Sequence, residues 1–236
     1  MKAKLSIKKY FGDAAQEYDL GIDRGYFTIQ NDQKIEINDI VFMEQIHTNK
    51  VQDITPIIWD ELKTKKFNIL PQIDAMLTNI PSIFLCVRTA DCYPILIYDE
   101  VRKVIAVAHS GREGTKLRIL EKILDRMKEL YYCDMNDIKV HIGAGICMNH
   151  YTVSEDIADD FYIKNNSIEP KYNKLNLSPR IDILEAIVKT AIDNNILRTN
   201  IIYDTECTFE SVNYFSYRRD KTNKRQISLI GMEYVR

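Results

Sequence analysis

Residues 89–115 read TADCYPILIYDEVRKVIAVAHSGREGT, and within them two short β-rich runs, 95–98 and 104–108, are joined by the polar turn 99–103. That pattern predicts an antiparallel hairpin. If Asp99 faces Val104, the register sets Pro94 opposite His109 and Cys92 opposite Gly111, so a thiol and an imidazole leave the same end of one hairpin. The remaining offset of two residues is about 7 Å along a strand, a gap that side chains turned toward each other can span around a metal ion.

Outward from the hairpin, further strand-like runs fall at 40–44, 75–78, 83–89, 138–142, 201–204 and 227–230. Three helices are expected. Leu117, Leu120, Leu124, Met127 and Tyr131 advance by three and four, an apolar stripe on a helix with Thr115 as its N-cap. Leu184, Ile187, Val188, Ala191 and Ile192 mark a second, with Asp182 or Ser178-Pro179 at its start and Asn194-Asn195 at its end. A third follows Ser154, where Glu155 and Asp156 suit a helix N-terminus. Hairpins mixed with helices, without strict strand-helix alternation, predict an α+β fold with a mixed sheet and flanking helices. No repeat or linker divides residues 1–236, which read as a single domain.

A chain that is 45% hydrophobic and 28% charged can bury a full core, and a net charge of −2 gives no general attraction to nucleic acid or anionic lipid. Any phosphate recognition must therefore be local. The first twenty residues lack a signal-peptide core, and apolar stretches such as 83–87 are too short to span a bilayer, so a cytoplasmic protein with no membrane or nucleic-acid partner is expected. Cys86, Cys92, Cys133, Cys147 and Cys207 are odd in number and form no CxxC pair, which predicts reduced thiols. Nothing in the pattern speaks to oligomeric state.

The chain has only four histidines. His47 closes the run 41–47 and, with Cys92 and His109, completes a candidate trio of metal ligands. One thiolate and two imidazoles suit Zn2+ and leave a fourth position open; the same donors also accept copper. His141, inside a strand, and His150, in a loop, are read as structural. Asp91 beside Cys92 is a candidate proton carrier. The turn from Gly111 to Gly114, between a strand and a helix, can bring backbone N–H groups to an anion. Arg218 and Arg219, among Tyr214, Phe215 and Tyr217, can stack a base and grip a phosphate.

Eight short pieces carry a family resemblance: residues 45–51 (QIHTNKV), 74–78 (DAMLT), 89–94 (TADCYP), 109–111 (HSG), 143–146 (GAGI), 151–153 (YTV), 207–208 (CT) and 215–220 (FSYRRD). In order and spread, from about Gln45 to Arg225, they resemble the YfiH/laccase-domain family, first called multicopper polyphenol oxidoreductases and later characterised as purine nucleoside phosphorylases. The resemblance implies a fold shared with the catalytic domain of cytotoxic necrotizing factor, a cysteine deamidase, and His47, Cys92 and His109 as the metal ligands. It further implies phosphorolysis of adenosine, inosine, guanosine and methylthioadenosine, with purine nucleosides and phosphate as partners and adenosine deamination as a side activity. Cys92, His109 and Asp91 then stand as catalytic residues, and Gln45, Gly111, Arg218 and Arg219 as substrate-binding ones. Arg112-Glu113 occupy the place of the family's usual Trp-Arg, Thr152 that of a Glu, and Lys224 that of a Gly.

Other readings compete. A multicopper laccase needs more imidazoles than this chain holds, which leaves only a single-copper phenol oxidation. The His-x-Glu and Pro-Cys-x-x-Cys pattern of zinc deaminases is absent. Cys92 as nucleophile with His109 as base describes a metal-independent amidohydrolase, a chemistry linked in some family members to editing of peptidoglycan precursors. A non-enzymatic partner protein would show neither nucleoside turnover nor tightly held metal.

Overall fold

The structure, a computed structural model, describes residues 4–15, 17–29, 33–165 and 178–235. Strands Tyr93–Asp99 and Val104–Ser110 form the expected hairpin, with Val104 opposite Asp99 and His109 opposite Pro94. Every residue of both strands is buried. Their two faces serve different cores: Ile95, Ile97, Ala106 and Ala108 point to a helical layer, while Leu96, Tyr98, Ile105 and Val107 point to a second sheet. Strands covered on both sides read as unbroken apolar runs, which is why no alternation marks this hairpin in the sequence.

The hairpin lies at the centre of a six-stranded mixed sheet ordered Ile201–Tyr203, Ile138–Ile142, Tyr93–Asp99, Val104–Ser110, Ala75–Thr78, Val51–Asp53. A five-stranded sheet ordered Lys4–Phe11, Gln226–Val235, Phe84–Thr89, Ile40–Met43, Ile69–Leu70 packs against it through Met43, Leu85, Val87, Ile230 and Met232. Its other face, with Tyr10, Phe42, Phe84 and Leu229, is covered by Phe27, Ile35 and Ile37 around the small ribbon Tyr26–Thr28 and Lys34–Glu36. Helices Ile119–Tyr131, Glu155–Lys164 and Ile183–Asp193 close the opposite side of the six-stranded sheet. The α+β reading with mixed sheets therefore holds. Among the described residues, no helix is long and apolar enough to cross a membrane.

Two expectations are corrected. Thr115 does not cap the helix that carries the 117–131 stripe: it lies inside a separate helix, Arg112–Lys116, where its hydroxyl donates to Gly111 O at 2.8 Å. Arg118 then turns left-handed (φ 57°) and the chain restarts at Ile119, so buried Ile119 and Ile123 face the core while Leu117 is 42% exposed. The last strand also continues past residue 230 to Val235, paired along its length with Lys4–Phe11. That partner strand (KLSIKKYF) escaped notice because its lysines interrupt the apolar pattern, as suits a sheet edge that must not recruit another chain. Asp182 behaves as expected, accepting from Glu185 N at 2.9 Å at the start of its helix.

Candidate metal centre and its pocket

The hairpin end delivers Cys92 and His109, and the loop after strand Ile40–Met43 delivers His47; their ligand atoms lie within 4.8 Å of one another. The two imidazoles meet edge-on with ring centroids 4.9 Å apart. Asp74, wholly buried, organises both. Its Oδ1 sits 2.8 Å from His109 Nδ1, and its carboxylate accepts from the backbone N–H groups of Ile46 (3.2 Å), His47 (3.0 Å) and Thr48 (2.7 Å) and from Thr48 Oγ1 (3.0 Å). These bonds hold His47 at φ 60°, a left-handed conformation that is costly for a side-chain-bearing residue. With Nδ1 engaged by Asp74, His109 turns its Nε2 toward the site.

Burial works against a Cys92 thiolate, but the charge and hydrogen bonds of His109, with those of His47, outweigh it and bring the thiol down to about 6. Burial likewise opposes a charged His109, yet the Cys92 thiolate and the Asp74 carboxylate raise it to about 9. Asp74 itself is held below the usual carboxylate range: burial would raise it, but His109 and the Thr48 and Ile46 amides prevail. Gly111 permits this closeness, since a Cβ there would stand 2.7 Å from Cys92 Sγ.

The trio forms part of the wall of a cavity of roughly 1010 Å³, whose lining also includes Arg88, Arg112, Arg218, Lys221 and Arg225. Of the residues expected to act there besides the trio, Gln45, Asp91 and Arg218 line it; Gly111 and Arg219 do not. Gln45 spends its amide on the Arg88 backbone, donating to O (2.8 Å) and accepting from N (2.9 Å). Asp91, left-handed at φ 87°, accepts from Thr208 Oγ1 (2.8 Å) and from Arg218 N (2.6 Å), so both its oxygens fix neighbouring loops. Arg218 Nη1 donates to Thr152 O (2.8 Å) with the guanidinium 4.9 Å above the Tyr151 ring. Arg219 instead turns back, donating from Nη1 to the carbonyls of Thr208, Phe209 and Ser211 and from Nη2 to that of Tyr214. Glu113 is offset on both sides, 3.0 Å from Arg112 Nε and 2.7 Å from Lys116 Nζ.

Sequence reasoning passed over Asp74 as a site residue and Arg88 and Tyr151 as lining. It also read His150 as structural, whereas His150 lies with Cys147, Cys207 and Glu210 in a second group whose ligand atoms fall within 4.8 Å of one another. The signal was the spacing Cys147-x-x-His150 and Cys207-x-x-Glu210, hidden from a search for CxxC alone.

A paired-sheet α+β fold with a Cys-His-His group opening into a cation-rich pocket defines a class of enzyme-like domain with a candidate metal centre. The chain belongs to the multi-copper polyphenol oxidoreductase laccase family, whose model matches residues 11–233. It is 33% identical over 199 residues to a Campylobacter jejuni protein named purine nucleoside phosphorylase, covering 84% of this chain and 79% of that one. A Clostridium acetobutylicum protein of the same name is 29% identical over 227 residues, covering 94% and 90%. Among solved structures, Bacillus licheniformis YfiH superposes with a TM-score of 0.72 at 25% identity, covering 83% of this chain and 75% of that one. Geobacillus stearothermophilus YlmD shares the fold at a TM-score of 0.75 and 20% identity, covering 98% and 92%.

Proposed function

We propose that the protein is a purine nucleoside phosphorylase acting on adenosine, inosine, guanosine and methylthioadenosine, with adenosine deamination as a side activity of the same pocket. The observation that carries this reading is the juxtaposition of the His47–Cys92–His109 group with the guanidinium groups of Arg112 and Arg218 in one cavity. The names of the relatives support it.

The residues fit a metal ion. Asp74 fixes the tautomer of His109, and the lowered thiol of Cys92 supplies an anionic donor at neutral pH. His47, Cys92 and His109 would hold Zn2+, with copper as the other ion such donors accept. When bound, the ion supplies Lewis acidity at the pocket wall.

In phosphorolysis a phosphate oxygen bonds to C1′ as the C1′–N9 bond breaks, and the electron pair leaves with the purine. Arg112 and Arg218 are placed to hold the phosphate, since planar guanidinium groups bind such oxygens in pairs. The ion pairs of Glu113 with Arg112 and Lys116 reduce the repulsion its carboxylate would otherwise exert. Ile146, Tyr151 and Ile183 offer an apolar wall for the base. Asp91 acts here by positioning Thr208 and the start of the helix Tyr217–Asp220. The test is a panel of nucleosides incubated with and without phosphate. Free purine and pentose 1-phosphate formed only with phosphate are expected, as is inosine from adenosine without it; no base release from any of the four nucleosides would overturn the reading.

A second reading rests on one observation, the Cys92–His109–Asp74 chain, which also has the form of a thiolate nucleophile, its base and the carboxylate that orients it. Trapping of Cys92 by an amide electrophile in metal-free protein, together with amide turnover, would favour it.

A further inference from the structure

Two loops that hydrogen-bond Asp91 through Thr208 and Ile146 carry a second set of candidate ligands. We infer that Cys147, His150, Cys207 and Glu210 form a four-coordinate zinc site of the structural kind, separate from the pocket. It stands whatever reaction the pocket performs.

The distances converge on a point. His150 Nδ1 lies 3.4 Å from Cys147 Sγ, 3.8 Å from Cys207 Sγ and 3.3 Å from Glu210 Oε1, and all four ligand atoms lie within 4.8 Å of one another. Tetrahedral zinc with ordinary bond lengths places sulfur about 3.6 Å from nitrogen and nitrogen about 3.3 Å from oxygen. A single imidazole nitrogen has one hydrogen or one lone pair and cannot satisfy two sulfurs and a carboxylate oxygen at once. A dication among them can.

The backbone is built for the purpose twice over. Each loop holds its two ligands three residues apart and closes between them with the same turn: His150 N donates to Cys147 O at 3.1 Å, and Glu210 N donates to Cys207 O at 3.1 Å. A parallel bridge between Gly145 and Cys207 then brings the two turns together. Cys147 N–H donates to Cys207 Sγ at 3.2 Å, which holds that sulfur against the neighbouring turn. Phe209 stacks on the His150 ring with centroids 4.5 Å apart and planes 14° apart, which sets the ring's direction. Cys207 is buried, whereas the Glu210 side chain is 59% exposed and leaves a route for the ion to enter.

The consequence for the pocket is mechanical. Thr208, next to Cys207, donates to Asp91 Oδ1, and Ile146, next to Cys147, donates its N–H to Asp91 O at 2.8 Å. An ion joining the two loops would fix both contacts to Asp91, and through them the pocket wall at Ile146.

Zinc content of the full-length protein, purified with Zn2+ and dialysed, provides the test. Two equivalents per chain are expected. Cys92→Ala should keep one equivalent, and on exchange with Co2+ that variant should retain the absorption of thiolate-to-cobalt charge transfer. Adding Cys147→Ser and Cys207→Ser should remove both signals; His47→Ala, at an exposed position, is a second route to emptying the pocket group alone. A Cys92→Ala protein that binds no metal, or whose Co2+ form shows no thiolate band, overturns the inference. So does a Cys147–Cys207 disulfide that persists in the purified protein with excess Zn2+ present.

Discussion

Asp74 Oδ1 and His109 Nδ1 are 2.8 Å apart in a fully buried contact, and the same carboxylate anchors the backbone of the loop that presents His47. One residue thus sets the direction of one imidazole and the position of another. Asp74→Asn would keep an oxygen for His109 but place an amide against donors now bound by the other oxygen, including Thr48 N at 2.7 Å. Losing such a support to a ligand costs about 10- to 100-fold in metal affinity. Competition with a chromogenic chelator checks this, and an affinity within twofold of the wild type would deny Asp74 the part assigned to it.

Gly111 is the narrowest point of the centre. In Gly111→Ala the new methyl would stand 2.7 Å from Cys92 Sγ, closer than any unforced contact, and 3.6 Å from His47 Cδ2. The thiol must move, at a cost of about 1–3 kcal/mol for such overpacking. The expected outcome is a folded protein with a slightly lowered melting temperature and little metal at the trio. Elemental analysis beside a thermal melt separates this from simple unfolding, and full metal occupancy would contradict it.

The hairpin register could be read from the sequence because Asp99 and Val104 flank a polar turn that interrupts two apolar runs, and register follows from turn length. With it came Cys92 and His109. The edge strand Lys4–Phe11 could not be read, because lysines placed to discourage pairing also erase the apolar signature of a strand. Asp74 was quoted only as part of a motif, since a carboxylate that serves a histidine thirty-five residues away leaves no local pattern. Arg218 and Arg219 looked equivalent because adjacent residues in a short helix diverge in direction, and only the fold decides which one faces the cavity.

His141 gives a pH dependence remote from the centre. Burial first, then the charges of Lys9 and Lys139, depress it to about 4 from an ordinary 6.5. Between those values the unfolded chain binds the proton and the folded one does not, so its contribution is fully present above about 6.5 and is lost as pH falls toward about 4. His141→Phe keeps a ring against Tyr98, now 5.3 Å away edge-on, and removes the titration. Urea midpoints taken from pH 7 to pH 4 should fall less steeply in the variant than in the wild type; parallel curves would exclude His141 as a source of acid sensitivity.

Arg218 and Arg219 should respond to alanine in opposite ways. Arg219 ties together Thr208, Phe209, Ser211 and Tyr214 through carbonyls 2.8 to 3.1 Å from its guanidinium, so Arg219→Ala strips charged hydrogen bonds from a whole loop. A loss of about 1–3 kcal/mol in stability is expected, with phosphate KM changing less than threefold in the protein that remains folded. Arg218 contributes its backbone N–H to Asp91 whatever its side chain, and that side chain otherwise touches Thr152 and the face of Tyr151 at the cavity edge. Arg218→Ala should therefore melt within a few degrees of the wild type while phosphate KM rises about 10-fold or more, the worth of one charged hydrogen bond to an anion. Melting curves and phosphate saturation of inosine cleavage, measured on both variants, check the assignment. If Arg219→Ala raises phosphate KM as much as Arg218→Ala does, the two arginines share one role and the division between pocket and loop is wrong.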